Sequence, residues 1–293
     1  MLRRDTSPFA AKIGMKMRSL GYTDHSELEV WRMDIDPEAP PRPRPRRGVY
    51  LLPNLLTTGA MFAGFYAIVA AINADYSSAV IAIFVAGLFD GLDGRVARMT
   101  NTQSEFGVQY DSLSDLVSFG VAPALVLYVW SLKSLSGYGP AWGKFGWAAA
   151  FIFAACGALR LARFNTQVGT ADKRYFIGLA IPAAAALMMS FVWTVLDTGH
   201  TGQDVQFITP VIAVVAGLLM VSRFRYFSFK AWPRGDKVPF FWVPVALLIL
   251  VALAMNPPRV LFAIVFTYAL SGPALTIWSR LRRRREAPEP PAP

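Results

Sequence analysis

Residues 89–115 read FDGLDGRVARMTNTQSEFGVQYDSLSD. Four aspartates, two arginines and a glutamate crowd this stretch, yet the apolar run SSAVIAIFVAGLF leads into it and LVSFGVAPALVLYVW leads out. A carboxylate at the centre of a membrane helix costs about 2.5–3.5 kcal/mol on insertion scales, so something must neutralise these acids. Asp90 and Asp93 are three residues apart and Asp111 and Asp115 four apart, so each pair lies on one face of its own helix. The connection between the two helices is short, which makes them antiparallel neighbours. All four carboxylates can then converge on one pocket.

The rest of the chain supports a membrane setting. Of 293 residues, 54% are hydrophobic and only 16% charged, with a mean hydropathy of +0.39; soluble domains carry about 25% charged residues. The apolar runs are continuous rather than alternating, which argues against a β-barrel. These features predict an all-α polytopic membrane protein. The formal charge of +10 would suit nucleic acid, but the Lys and Arg cluster at the ends of apolar runs. That placement fits membrane topology and anionic headgroups, and it excludes nucleic acid as the expected partner. The single cysteine, Cys156, lies within an apolar run, which excludes an intrachain disulfide and a cysteine metal site.

Eight spans are expected, near 50–73, 77–98, 112–132, 147–164, 177–196, 206–222, 238–255 and 259–279. They form one membrane-embedded domain over residues 49–280, with a polar N-terminal extension at 1–48 and a basic, Pro-rich tail at 281–293 expected to be disordered. The extension ends in PEAPPRPRPRRG, which favours an extended, exposed chain. Residues 9–20 within it could form a short basic amphipathic helix. With the N-terminus inside, one set of linkers holds eleven Lys and Arg, among them Arg95, Arg98, Arg160, Arg163, Arg223, Arg225 and Lys230; the other holds Lys133, Lys144 and Arg259. This bias places both termini and the acidic stretch in the cytoplasm. A bacterial-type inner membrane is the simplest location.

Four close carboxylates repel one another unless a cation neutralises them, and hard oxygen donors select Mg²⁺ or Mn²⁺. Asp90, Asp93, Asp111 and Asp115 could hold two such ions, and paired metals suit in-line phosphoryl displacement. Gly91, Gly94 and Gly107 would let a ligand approach closely, and Arg95 and Arg98 carry guanidinium groups suited to phosphate.

The spacing Asp90-x2-Asp93-Gly94-x2-Ala97-Arg98-x8-Gly107-x3-Asp111-x3-Asp115 resembles the motif of the CDP-alcohol phosphatidyltransferases, and every defined position matches. The resemblance implies a membrane enzyme that transfers a phosphatidyl group from a CDP-linked lipid to an alcohol and releases CMP. It implies metal binding by the four aspartates, a general-base role for Asp115, and a nucleotide and diphosphate bordered by Gly94, Ala97, Arg98 and Gly107. It also implies that Asn54 and Thr57 of the first span border the nucleotide, and that the protein forms a homodimer. The residues themselves support an aspartate base. The two histidines, His25 and His200, fall in the extension and in a linker on the far side, so neither reaches the cluster. A route through histidine nucleophiles is excluded for the same reason.

The motif leaves the acceptor open. LLPNLLTTGAMFAGFYAIVAA, LVSFGVAPA, GALRLARFN and FIGLAIPAAAA resemble the membrane-embedded phosphatidylserine synthases, with a departure at Ala180, where that branch often has proline. The resemblance implies CDP-diacylglycerol as donor and L-serine as acceptor. Arg160 and Arg163 share a helix face and, with Asn165, are candidates to contact serine or phosphate. Arg223, Arg225 and Lys230 are more ambiguous cations. The alternatives are the same chemistry with glycerol 3-phosphate, choline or an inositol phosphate, and an ion-coupled transporter. A transporter would place its acids at the midplane of repeated halves, which the chain does not display.

Overall fold

A computed structural model describes residues 51–100, 102, 104–166, 175–227 and 242–285. The extension at 1–48, with its amphipathic-helix and extended-chain expectations, lies outside the described residues. Helix α1 (Leu51–Ile72) accommodates Pro53 in its first turn, where no helical N–H bond is lost. One face of it is small: Ala60, Ala63, Gly64, Ala67, Ala70 and Ala71 are buried, while Leu55, Phe62 and Phe65 point outward. Helix α2 (Tyr76–Met99) buries Ala79, Ala82 and Ala86 along α1. Small facing residues let the two backbones approach closely, which is how membrane helices pack when lipid removes the hydrophobic drive between them. The turn joining them carries Ala74 at φ 60° and Asp75, whose carboxylate accepts the Ser78 N–H at 3.1 Å.

The next helical stretch runs unbroken from Glu105 to Trp130. It comprises α3 (Glu105–Asp115), a π-helical segment (Leu116–Val121) and α4 (Ala122–Trp130). A 3-10 segment (Leu132–Tyr138) leads into α5 (Pro140–Thr166), with Pro140 at its first position. Strand β1 (Tyr175–Ile177) then precedes α6 (Ile181–Asp197), and α7 (Thr209–Val221) precedes β2 (Arg225–Phe227). The two strands pair antiparallel, Phe176 opposite Tyr226. Helices α8 (Trp242–Met255) and α9 (Pro257–Arg285) complete the described chain.

Four stretches, Leu51–Ile72, Glu105–Trp130, Pro140–Thr166 and Pro257–Trp278, are long and apolar enough to cross a bilayer, and α6, α7 and α8 are shorter apolar helices. The protein is a polytopic helical membrane protein. Its core, with Val80, Ile83, Phe119, Leu127, Phe153, Met188, Val192 and Met220, lies where α2, α4, α5, α6 and α7 meet the π-helical segment.

Three boundaries differ from expectation. The third span begins at Glu105 rather than near 112, because Ser104 caps the helix by accepting the Gly107 N–H at 3.0 Å. The fifth expected span divides into a strand and α6, because Gly178 adopts φ 78° between them. Arginine and leucine favour helix, so α9 continues through Arg285, five residues into the expected tail. Ala180, where the related sequences often carry proline, has φ −63°, the angle that a proline ring imposes.

Candidate active site

Helices α2 and α3 form the hairpin that carries the acids. Its tip is tied by Thr100, whose N–H and hydroxyl both reach the Val96 carbonyl, and by Thr102, whose N–H reaches the Ala97 carbonyl. From Asp93 to the end of α2 at Met99, and from the start of α3 at Glu105 to Asp111, is about 9 Å along each axis at 1.5 Å per residue. Asp90 and Asp115 lie about 13–15 Å in by the same measure. Both helices pack on α1, which brings acids from the two together. The acids sit two to three turns inside the helices.

Asp90, Asp93 and Asp111 each offer one carboxylate oxygen, and these oxygens all lie within 4.8 Å of one another. Asp115 is outside that triad and lies in hydrogen-bonding contact with Asp90. Asp93 is buried at 5% exposure, and the other three are half-buried. The donor set is all hard oxygen at a spacing that one cation could bridge, so it fits a Mg²⁺- or Mn²⁺-type ion. Arg95 and Arg98 are exposed and make no ion pair with Asp93, Asp111 or Asp115 among the described residues.

Helix α1 closes one side. The Thr57 hydroxyl donates to Asp93 Oδ2 at 2.7 Å, and the Thr57 carbonyl accepts from the Ser114 hydroxyl at 3.0 Å. The Ser118 hydroxyl donates to the Ala60 carbonyl at 3.0 Å, and the hydroxyls of Thr58 and Tyr110 lie 2.8 Å apart. Asn54 stands half-buried beside Gly107: a Cβ on Gly107 would lie 3.2 Å from Ser104 Oγ and 3.6 Å from Asn54 Oδ1. Gly107 is thus packed, whereas a Cβ on Gly91 or Gly94 would meet nothing within 4 Å. Ala97 is half-buried near the end of α2.

The candidate acceptor residues are already engaged. Arg160 donates to the carbonyls of Ile177 at 2.9 Å and Met220 at 3.2 Å. Arg163 donates to those of Val221 and Ile177, each at 3.0 Å. The last carbonyls of α7 have no helical partner, and the two guanidinium groups cap them. Asn165 Nδ2 donates to the Ser112 hydroxyl at 3.1 Å, which joins α5 to the residue after Asp111. Sequence reasoning missed Ser112, Ser114 and Ser118. The available signal was their polarity in a helix otherwise fit for lipid, with Ser114 and Ser118 four residues apart and so on one face.

A largely helical membrane body with a convergent aspartate cluster suits an enzyme that works on phosphate at the membrane. Residues 50–221, more than half of the chain, match the CDP-alcohol phosphatidyltransferase family, and the chain belongs to that family. The matched region covers α1 to α7 and ends with α7 at Val221. Among curated relatives, the CDP-diacylglycerol–serine O-phosphatidyltransferase of Helicobacter pylori strain ATCC 700392 / 26695 is 41% identical over 189 residues, 64% of this chain and 76% of that protein. The enzyme of the same name from Methanocaldococcus jannaschii is 36% identical over 190 residues, 65% of this chain and 80% of the relative. The archaetidylserine synthase of Methanothermobacter thermautotrophicus is 34% identical over 187 residues, 63% and 70% of the two chains.

Proposed function

We propose that this protein transfers the phosphatidyl group of CDP-diacylglycerol to the hydroxyl of L-serine, giving phosphatidylserine and CMP. The observation that carries the reading is the meeting of three of the motif's four carboxylates, from α2 and α3, within 4.8 Å of one another. Relatives named for different lipid products share serine in their names, which supports serine as the acceptor.

Asp90, Asp93, Asp111 and Asp115 would hold two divalent ions, Mg²⁺ or Mn²⁺. Such ions supply neutralisation of the donor's diphosphate and of the charge that develops on departing CMP. Asp115 is the general base, accepting the proton of the serine hydroxyl. The serine oxygen forms a bond to the phosphatidyl phosphorus as the bond from that phosphorus to the CMP oxygen breaks, and the electron pair leaves with CMP. Asp115 then returns its proton to water. Gly94 leaves room beside the nucleotide, and Ala97, Gly107 and Asn54 border it. Arg98 is exposed and offers its guanidinium to the diphosphate.

Arg160, Arg163 and Asn165 flank the acceptor. Both guanidinium groups bond main-chain carbonyls, and those bonds hold them in place beside the acceptor. The Lys/Arg bias supports an inner-membrane protein with both termini and the active site in the cytoplasm, in contact with anionic lipids. The family resemblance supports a homodimer.

The test is release of CMP by purified protein given CDP-diacylglycerol, Mn²⁺ and one alcohol at a time. Serine should give CMP above the no-acceptor blank, and the other alcohols should not. Absence of serine-dependent CMP refutes the proposal.

A further inference from the structure

We infer that Thr57 is a positioning residue for the metal cluster and acts through Asp93 rather than on the nucleotide. The inference rests on the reading of the aspartates as metal ligands. Thr57 is 4% exposed and Asp93 5% exposed, so the 2.7 Å bond between them is sealed from water. A threonine hydroxyl has one proton to give. Thr57 Oγ1 also lies 3.1 Å from the Pro53 carbonyl, but within a helix that carbonyl already receives the Thr57 main-chain N–H. The shorter, charge-assisted bond to Asp93 takes the proton. The hydroxyl proton is therefore committed to Asp93 and is not free for a nucleotide.

That bond orients the Asp93 carboxylate. Oδ2 is held by Thr57, which fixes the rotation of a carboxylate that has one oxygen within 4.8 Å of those of Asp90 and Asp111. The same residue is tied at its carbonyl by Ser114, which is 2% exposed and sits between Asp111 and Asp115 on α3. Thr57 thus joins the two acid-bearing helices through one residue of α1. Its hydroxyl holds the α2 acid and its main chain holds the helix of the α3 acids. Groups that orient a metal ligand typically change metal affinity about 10–100-fold when removed.

The test is Mn²⁺ binding by the purified protein, followed by loss of the free-ion paramagnetic resonance signal with no lipid or nucleotide present. Thr57→Val keeps the shape and deletes the hydroxyl, and should weaken Mn²⁺ binding about tenfold or more, while Thr57→Ser should stay within about threefold of wild type. Thr57→Ala repeats the deletion without added bulk, should valine disturb folding. Thr58→Val, which loses a neighbouring exposed hydroxyl, should bind Mn²⁺ as wild type does. If Thr57→Val and Thr57→Ala bind Mn²⁺ like wild type and lose only CDP-diacylglycerol affinity, Thr57 touches the nucleotide and the inference is wrong. If Thr57→Ser loses as much affinity as Thr57→Val, packing rather than the hydroxyl is responsible, and the inference again fails. If the wild type binds no Mn²⁺ at all, the metal reading itself falls and takes this inference with it.

Discussion

Gly64→Ala tests whether the close approach of α1 to the π-helical segment holds the site together. A Cβ at Gly64 would lie 2.7 Å from both the Cα and Oγ of Ser118 and 3.0 Å from its Cβ. Carbon atoms in contact sit about 3.5–4.0 Å apart, so the two backbones must separate by roughly 1 Å. Ser118 cannot yield by rotating its side chain, because one of the clashing atoms is main chain. Separation would also stretch the 3.0 Å bond from Ser118 to the Ala60 carbonyl. Overpacking of this kind costs about 1–3 kcal/mol. The gain in helix propensity from glycine to alanine returns up to about 1 kcal/mol. With the full gain returned, the net destabilisation is roughly 0–2 kcal/mol against wild type, and about 1–3 kcal/mol against a variant with the propensity gain alone. Gly91→Ala is the matched control, because its Cβ meets nothing within 4 Å and only the propensity gain applies. Thermal unfolding in detergent should show Gly64→Ala melting below wild type and Gly91→Ala at or above it. Serine-dependent CMP release by Gly64→Ala should also fall, since α1 carries Thr57 about two turns away. A Gly64→Ala protein as stable as Gly91→Ala would refute the reasoning.

Asp115→Asn should fold normally and lose about 10²–10⁴-fold in CMP release, the usual range for a general base; an unchanged rate removes Asp115 from that role. Ala74 sits at φ 60°, where an L-residue costs about 1–2 kcal/mol, so Ala74→Gly should raise the melting temperature by a few degrees at most. Asp204 accepts the Thr201 N–H at 2.7 Å and the Thr201 hydroxyl at 2.9 Å, and these bonds hold its carboxyl below the usual carboxylate range. A lowered folded value means the stabilisation is complete above the ordinary pKa of about 3.9 and is lost as pH falls through the lowered value. Asp204→Asn should therefore flatten the acid limb of a stability-versus-pH curve below about pH 4, and an unaltered limb would count against the bond.

Much of this protein is legible in local patterns. Continuous apolar runs require helices in lipid, because no water is present there to satisfy a bare backbone. The spacing of Asp90 with Asp93 and of Asp111 with Asp115 follows helical periodicity, and a short hairpin makes antiparallel neighbours. Those facts need no partner from elsewhere in the chain, so the membrane fold and the meeting of the acids could be read in advance. The ends of the elements were harder to read, since they depend on single caps and glycines such as Ser104 and Gly178.

The roles of individual polar side chains were decided at longer range. Thr57 reads as a nucleotide neighbour, yet its hydroxyl lies on Asp93, 36 residues away. Arg160 and Arg163 read as ligand contacts, yet both cap the end of α7, 60 and 58 residues further along. Ser118 reads as part of an apolar span, yet it anchors α1 from within a π-helical turn. A hydrogen bond depends on a few tenths of an ångström and on the rotation of each helix about its axis. Periodicity says which residues share a face, but the depth and rotation at which two faces meet come from the packing of small residues such as Gly64 against Ser118, and that is settled only in three dimensions.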